Sequence, residues 1–318
     1  MTSSRNQTLR LSAEEVARRS PKLLRVEAAA TLATVDERVV CGDTLQVLDR
    51  LPSGSIDLVC ADPPYNLDKD FKGTSFRARS LGQYEDWLES WVGKLGRIMT
   101  PTASIYICGD WRSSTAIHRV LERHFTVRNR VTWEREKGRG ALANWKNCSE
   151  DIWFATVANQ YFFDPDPVRV KRRVVAPYRD ESGRAKDWAK EDGTPFRLTA
   201  PSNLWTDVTV PFWSMPENTD HPTQKPEKLV AKMVLASARP GQRVLDPFLG
   251  SGTTAAVCRK LGRRWIGIES DPTYWCLAEW RVELAKENPE IQGYRDGVFW
   301  DRNAGQASKA GRKAQGAC

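Results

Sequence analysis

Along most of the chain, short apolar runs alternate with longer segments whose apolar residues recur at helical spacing. Val39-Val40-Cys41 predicts a strand, Gly42-Asp43 a turn and Thr44 to Leu51 a helix, and Ile56-Asp57-Leu58-Val59-Cys60-Ala61 follows as a second strand. That run is short, apolar and β-branched at its start, so it predicts a buried parallel strand whose C-terminal end delivers the next residues into a crevice. Tyr84 to Met99 has helical spacing, with Trp87, Leu88, Trp91, Val92 and Leu95 on one face and Thr100-Pro101 as its stop. Ser104 to Cys108 predicts a strand, Ser113 to Arg123 a helix and Val127 to Trp133 a strand. Strand and helix in alternation place the chain in the α/β class with a mainly parallel, twisted sheet.

From Glu134 to about Asn218 the pattern degrades. Apart from a strand at Ile152 to Ala155, the segment is rich in Gly, Pro, Arg and Trp. Regularity then returns. His221-Pro222-Thr223-Gln224-Lys225-Pro226 opens a helix to Ala238, Arg243 to Asp246 is a strand, Thr253 to Leu261 a helix, Trp265 to Glu269 a strand and Asp271 to Lys286 the last clear helix. Residues 1–36 are polar and mixed in charge, with Ser12 and Glu15 spaced as a capping box, and predict an arm outside the core. From Asn303 onward Gly, Ala, Lys and Arg dominate without an acid, which predicts disorder. The expected division is an arm (1–36), a first half of the main domain (37–133), an insertion (134–218), a second half (219–300) and a basic tail (301–318).

Charge and composition narrow the partners. Forty-eight Lys and Arg against 40 Asp and Glu give a net charge of +8, which favours a polyanion. Basic residues interleaved with aromatics in the insertion (Arg135, Lys137, Arg139, Trp145, Lys146, Arg169, Lys171, Arg172, Arg173) suit phosphate contact combined with base contact. A polar stretch from Asp68 to Ser80, carrying Lys69, Lys72, Arg77 and Arg79, predicts a mobile loop over the crevice. The seven cysteines include no C-x-x-C pair, so neither a disulfide framework nor a metal site is expected. Without an apolar segment of about 18 residues or a signal-peptide pattern, a cytosolic location and no membrane partner are expected.

The chemistry concentrates at two places. Asp62-Pro63-Pro64-Tyr65 ends the second strand, and its prolines fix φ and remove two N–H donors, leaving carbonyls as acceptors. A carboxylate, a free carbonyl and an aromatic ring on a rigid turn suit a flat ring whose amino group has two hydrogens to donate, such as a nucleobase. The plainer alternative is a Pro-Pro turn with Tyr65 as a packed aromatic. The second place is Gly250-Ser251-Gly252, between a strand and a helix, where glycines let the backbone approach a ligand at the helix N-terminus. Glu269, nineteen residues after Gly250 and ending the following strand, stands where an acid accepts from ribose hydroxyls. Together they indicate an adenosine-containing ligand. Gly250 to Ala255 also fits G-x-G-x-x-A, so NAD(P) competes with S-adenosylmethionine. A nicotinamide leaves Asp62 to Tyr65 and the basic insertion without a role, whereas methyl transfer uses all three. Asp43 lies at a strand end beside them, as a ligand acceptor or a helix cap.

The combination resembles the DNA amino-methyltransferases that modify adenine N6 or cytosine N4, over about residues 37 to 285. Asp62-Pro63-Pro64-Tyr65 matches their catalytic motif, Asp246-Pro247-Phe248-Leu249-Gly250-Ser251-Gly252 is similar to their cofactor motif, and His221 to Pro226 is similar to the segment preceding it. Catalytic motif first, recognition segment next and cofactor motif last is the order of the beta group. The resemblance implies a Rossmann-like, S-adenosylmethionine-dependent fold with permuted motif order and double-stranded DNA as substrate. It implies catalysis by Asp62, Pro63, Pro64 and Tyr65, with Asp62 and Asp246 also bordering the cofactor. Phe248, Gly250, Ser251, Gly252 and Glu269 correspond to contacts on the methionine and ribose portions, Asp43 to the acid near the adenine or its amino group, and Thr223 and Lys225 to the methionine end. Asp at the first motif position accompanies adenine in the family, so N6 of adenine is the expected target and N4 of cytosine the alternative. A binding protein on the same fold without catalysis is the competitor from another class. The resemblance leaves open a homodimer and a cognate restriction endonuclease.

Overall fold

The computed structural model describes residues 5–71, 74–135, 143–174, 178–191 and 193–302, with no account of the side chains of 69–75. Its frame is an eight-stranded sheet made of β1 (Arg38–Cys41), β2 (Ile56–Ala61), β3 (Met99–Gly109), β4 (Thr126–Glu134), β5 (Ser149–Thr156), β6 (Leu204–Trp205), β7 (Arg243–Asp246) and β8 (Arg264–Glu269). The spatial order is β1-β8-β7-β2-β3-β5-β4-β6. Every pairing is parallel except those of β5, which runs against both β3 and β4. The sheet is therefore mainly parallel, as the strand and helix alternation requires.

Six helices cover it: α1 (Thr44–Arg50), α2 (Leu81–Ile98), α3 (Ser114–His124), α4 (Glu227–Ser237), α5 (Thr253–Lys260) and α6 (Pro272–Glu287). Alternate residues of β2 go to opposite faces: Leu58 and Cys60 join the core under α4, α5 and α6, while Val59 and Ala61 join the core under α1, α2 and α3. Burial on both faces explains why these strands read as continuous apolar runs. Helix α2 starts three residues before the expected Tyr84, because Ser80 and Gln83 form a reciprocal capping box that satisfies the first free N–H groups.

The order of the strands locates the site. The chain leaves β2 toward β3 and leaves β7 toward β8, in opposite directions across the sheet. Beyond the carboxyl ends of β2 and β7 there is thus a crevice at a topological switch point, where such sheets bind ligands. Asp62 follows β2, Asp246 ends β7 and Glu269 ends β8.

Three expectations need amendment. The N-terminal segment is not wholly an arm outside the core: Val26 and Val35 are buried, Cys41 N–H donates to Leu24 O at 2.7 Å, and the buried Arg19 pairs with Glu283 at 2.6 Å. Val26 and Val35 are too widely spaced to show a period, yet both join the core under α1, α2 and α3. The stretch from Asp68 to Ser80 contains a short hairpin, Lys69–Phe71 with Thr74–Phe76, and Asn66 bonds Arg79 through both backbone groups. The insertion is organised around a second sheet of five short strands, in the order Tyr294–Arg295, Val298–Trp300, Val170–Arg173, Thr194–Thr199, Ala189–Glu191. Asp207 of the insertion anchors to α4 through Lys228 at 2.8 Å and Lys232 at 2.6 Å, all three side chains being buried. Lys72, Lys137, Arg139 and the tail from Asn303 lie outside the described residues. Among the described residues no helix is long and apolar enough to cross a membrane, and no group of acids, histidines and cysteines is arranged to hold a metal ion.

Candidate active site

At the switch point lies a cavity of about 500 Å³ lined by Asp62, Pro63, Pro64, Tyr65, Thr223, Lys225, Asp246, Phe248, Gly250, Ser251 and Glu269. It brings together the Asp62 tetrapeptide and the Gly250 turn, which are far apart in sequence. Asp43 and Gly252 do not line it.

The tetrapeptide is held from two directions. Tyr84, buried in the first turn of α2, donates its hydroxyl to Pro64 O at 3.0 Å. One of the two proline carbonyls is therefore committed to the fold, while among the described residues none donates to the Pro63 carbonyl. Tyr65 donates its hydroxyl to Glu150 Oε2 at 2.9 Å, which fixes the direction of the ring. Asp62 receives the Lys225 ammonium on both oxygens, each at 2.7 Å. The same ammonium stands 3.4 Å from Glu150 Oε2 and 5.0 Å from the centre of the Tyr65 ring. Arg135 pairs with Glu150 from the other side.

This arrangement sets the charges. Burial pushes the Asp62 carboxyl up, more than Lys225 pulls it down. For Lys225, burial works against the charged form, but Asp62 and Glu150 outweigh it and raise its pKa, so it stays an ammonium. Burial likewise opposes ionisation of Glu150, but Lys225 and Arg135 outweigh it and hold the carboxyl low. The ammonium is thus shared by two carboxylates, with Asp62 the less compensated of the two.

On the opposite wall the turn after β7 is built by backbone geometry. Gly250 and Gly252 have φ of 55° and 84°, in the left-handed region that glycine adopts freely. A Cβ on Gly252 would lie 2.7 Å from Ala278 Cα, so the absent side chain lets α5 and α6 approach each other. Asp246 accepts from Phe248 N at 2.9 Å and from Thr254 Oγ1 at 2.6 Å, and its burial lifts its pKa to about 7. Glu269 accepts from Gly250 N and Asp271 N, both at 2.8 Å. It is half-buried at the cavity wall, and burial lifts it to about 7 as well. An acid fixed by two backbone N–H groups and still facing the cavity can accept from vicinal hydroxyls.

The other residues predicted at the cofactor have structural partners of their own, and of Asp43, Ser251, Phe248 and Thr223 only Asp43 is off the cavity wall. Asp43 caps α1, accepting from Leu45 N at 3.0 Å and Gln46 N at 3.3 Å. The Ser251 hydroxyl turns inward to Arg281 Nη1 at 3.2 Å, and Arg281 reaches Glu227 at 3.0 Å. Phe248 packs edge-on against Trp91, ring centres 5.1 Å apart. The Thr223 backbone N–H donates to His221 Nδ1 at 3.3 Å. In the insertion, Arg135 is taken by Glu150 and Arg169 by Asp166 at 2.8 Å, and Lys171 pairs with Glu191. Trp145 is 97% exposed beside the exposed Lys146, so this pair stands clear of the fold.

Two residues of the site escaped the sequence reading. Glu150 begins β5, and because β5 runs antiparallel its N-terminal end lies at the edge where the parallel strands have their carboxyl ends. Nothing in its local sequence marks it. Tyr84 reads only as the first residue of the expected helix, and its hydroxyl gives no signal in a periodicity.

The chain matches the DNA methylase family, whose model spans N6 and N4 enzymes, over residues 56–279. It is 34% identical over 251 residues to the DNA adenine methyltransferase YhdJ of Escherichia coli (strain K12), covering 78% of this chain and 83% of that protein. It is 32% identical over 265 residues to the type II methyltransferase M.HpaI of Haemophilus parainfluenzae, covering 82% and 77%. The fold is also that of the solved M1.HpyAVI–SAM complex, with a TM-score of 0.53 and 20% identity over 77% of this chain and 98% of that one. With the cofactor-type turn and the amino-group turn facing one cavity and the match running through both, the chain belongs to the DNA methylase family.

Proposed function

We propose that the protein transfers a methyl group from S-adenosylmethionine to the exocyclic N6 of an adenine swung out of duplex DNA. One observation carries this reading: Pro63, whose carbonyl has no donor among the described residues, and Asp62 line the same cavity as Gly250 and Glu269. The cofactor suits the residues present. Glu269 can accept from its ribose hydroxyls, and the acids Asp62, Asp246 and Glu269 on the cavity wall favour a cationic guest. When bound, S-adenosylmethionine supplies an electrophilic methyl carbon on a cationic sulfur.

The remaining work falls to the chain. An amino group inside the stack is paired and out of reach, and extruding the base costs a few kcal/mol. The Lys225 ammonium lies over one face of Tyr65, so a stacked base takes the other. Pro63 O accepts one amino hydrogen and Asp62 the other, which turns the nitrogen lone pair out of conjugation with the ring. As the nitrogen forms its new bond it becomes positive, so acceptors already aimed at its hydrogens bind the transition state better than the ground state. The surplus proton leaves through Asp62. Tyr84, by holding Pro64 O, keeps the turn from collapsing onto its own free carbonyl.

Mapping modified bases in DNA from cells expressing the protein gives the target site, and digestion of that DNA to nucleosides identifies the product. N6-methyl-2′-deoxyadenosine in the digest supports the reading. N4-methyl-2′-deoxycytidine would move the activity to the alternative base, and binding of S-adenosylmethionine without methylation of any duplex would replace it with a non-catalytic role.

A further inference from the structure

Asp62 faces a substrate with its charge already compensated by an ammonium, which weakens it as an acceptor. Both its oxygens are taken by the Lys225 ammonium at 2.7 Å, a stronger partner than a neutral amino group. A base whose amino group bonds Asp62 competes with that ammonium, and a largely enclosed ammonium left without a counter-charge is strongly unfavourable. Lys225 is 10% exposed, so water replaces the lost partner only in part.

Glu150 answers this requirement. Its side chain is 5% exposed, its Oε2 already stands 3.4 Å from the ammonium, and Arg135 and the Tyr65 hydroxyl fix it in place from other directions. A small swing of the lysine chain exchanges one carboxylate for the other without moving the backbone. The Tyr65 ring, 5.0 Å from the ammonium, borders that path. Glu150 belongs neither to the Asp62 tetrapeptide nor to the Gly250 turn. Resting on the reading of Asp62 as the acceptor for the target amino group, we propose that Glu150 is a positioning residue: it takes up the Lys225 ammonium as the base displaces it, so that Asp62 meets the amino group unpaired.

A double-mutant cycle on a duplex carrying the mapped target site tests this. Glu150→Gln keeps the shape and the acceptor for Tyr65 but removes the charge that draws Lys225 away. It is expected to lower the single-turnover rate by at least about tenfold while the dissociation constants for S-adenosylmethionine and duplex stay within about twofold. Glu150→Asp, which keeps the charge, is expected to recover part of the loss. Lys225→Met removes the ammonium, so adding Glu150→Gln to it should change the rate by no more than about twofold. A Glu150→Gln enzyme as fast as a methylating wild type overturns the inference and leaves the proposed function standing. So does a Glu150→Gln loss that appears in full on the Lys225→Met background. A wild-type protein that methylates no duplex overturns both.

Discussion

Gly252→Ala asks whether the turn after β7 is fixed by close approach of helices or only by its loop sequence. The new Cβ would lie 2.7 Å from Ala278 Cα and 2.8 Å from Ala278 Cβ, on the neighbouring helix α6. Backbone cannot turn aside as a side chain can, so α5 and α6 must separate, and overpacking of this kind costs roughly 1–3 kcal/mol. The φ of 84° adds the left-handed penalty of roughly 1–2 kcal/mol for a residue with a Cβ. The expected loss is therefore roughly 2–5 kcal/mol. With an unfolding entropy of about 2.1 cal/mol/K per residue, a chain of 318 residues loses roughly 1.5 °C of melting temperature per kcal/mol, so a fall of roughly 3–8 °C is expected. Gly250→Ala is the control. Its Cβ meets the end of a side chain, the His221 ring, at 3.1 Å, and shifting that ring disturbs its bond from Thr223 N–H and its contact with Tyr274, so the φ penalty of roughly 1–2 kcal/mol is joined by a smaller packing cost than at Gly252. The displaced ring then intrudes on the cavity, and the larger effect falls on cofactor affinity. Scanning calorimetry and titration calorimetry read the two quantities separately. A Gly252→Ala protein melting within about 1 °C of wild type, or a Gly250→Ala protein melting below the Gly252→Ala protein, would refute the close-approach argument.

Asp62→Ala should lower turnover by a factor on the order of 10² to 10³, by analogy with removal of one preorganised polar group, while titration calorimetry still detects S-adenosylmethionine. Asp246 and Glu269, both raised to about 7 in the fold, bind protons more tightly folded than unfolded. Their contribution to stability is present below about pH 4 and is lost as pH climbs through about 7. For Asp246 the rise from 3.8 to about 7 corresponds to on the order of 4 kcal/mol. Asp246→Asn should therefore lose less stability than wild type between about pH 5 and 8 in urea titrations, and an identical slope would refute the assignment. Tyr84→Phe removes the hydroxyl that holds Pro64 O and should cost roughly 0.5–1.5 kcal/mol in the same titrations, with a lower turnover number. Unchanged stability and turnover together would show that the turn holds itself.

The parts of the fold legible in the sequence are those whose burial leaves a period. The strands of the main sheet show as apolar runs because both faces are covered, and α2 shows as a stripe in which Leu88, Trp91, Val92 and Leu95 are all buried. Its true start was also written in the sequence, in Ser80 and Gln83, but a cap is a pair of polar residues and does not appear in an apolar period. The second sheet left no such trace. Val170–Arg173 is four residues long and half-exposed, and one of its partners, Val298–Trp300, arrives from the far end of the chain. No local pattern announces a pairing of that separation.

The same distinction separates the site residues that were legible from those that were not. Asp62 and Glu269 could be placed because in a parallel sheet every strand points its carboxyl end at the crevice, so position in the sequence predicts position in space. β5 breaks that correspondence. Running antiparallel between β3 and β4, it brings its first residues to the crevice, and Glu150 reaches Lys225 and Tyr65 from a place where a parallel strand would have put them at the opposite edge. The antiparallel strand therefore does more than complete the sheet. It supplies a second carboxylate beside Lys225, where the turn after β2 provides Asp62 as the first. A carboxylate there can hold the Lys225 ammonium while Asp62 turns to another partner, and the reversal of one strand is what lets this fold keep two acids within reach of one lysine.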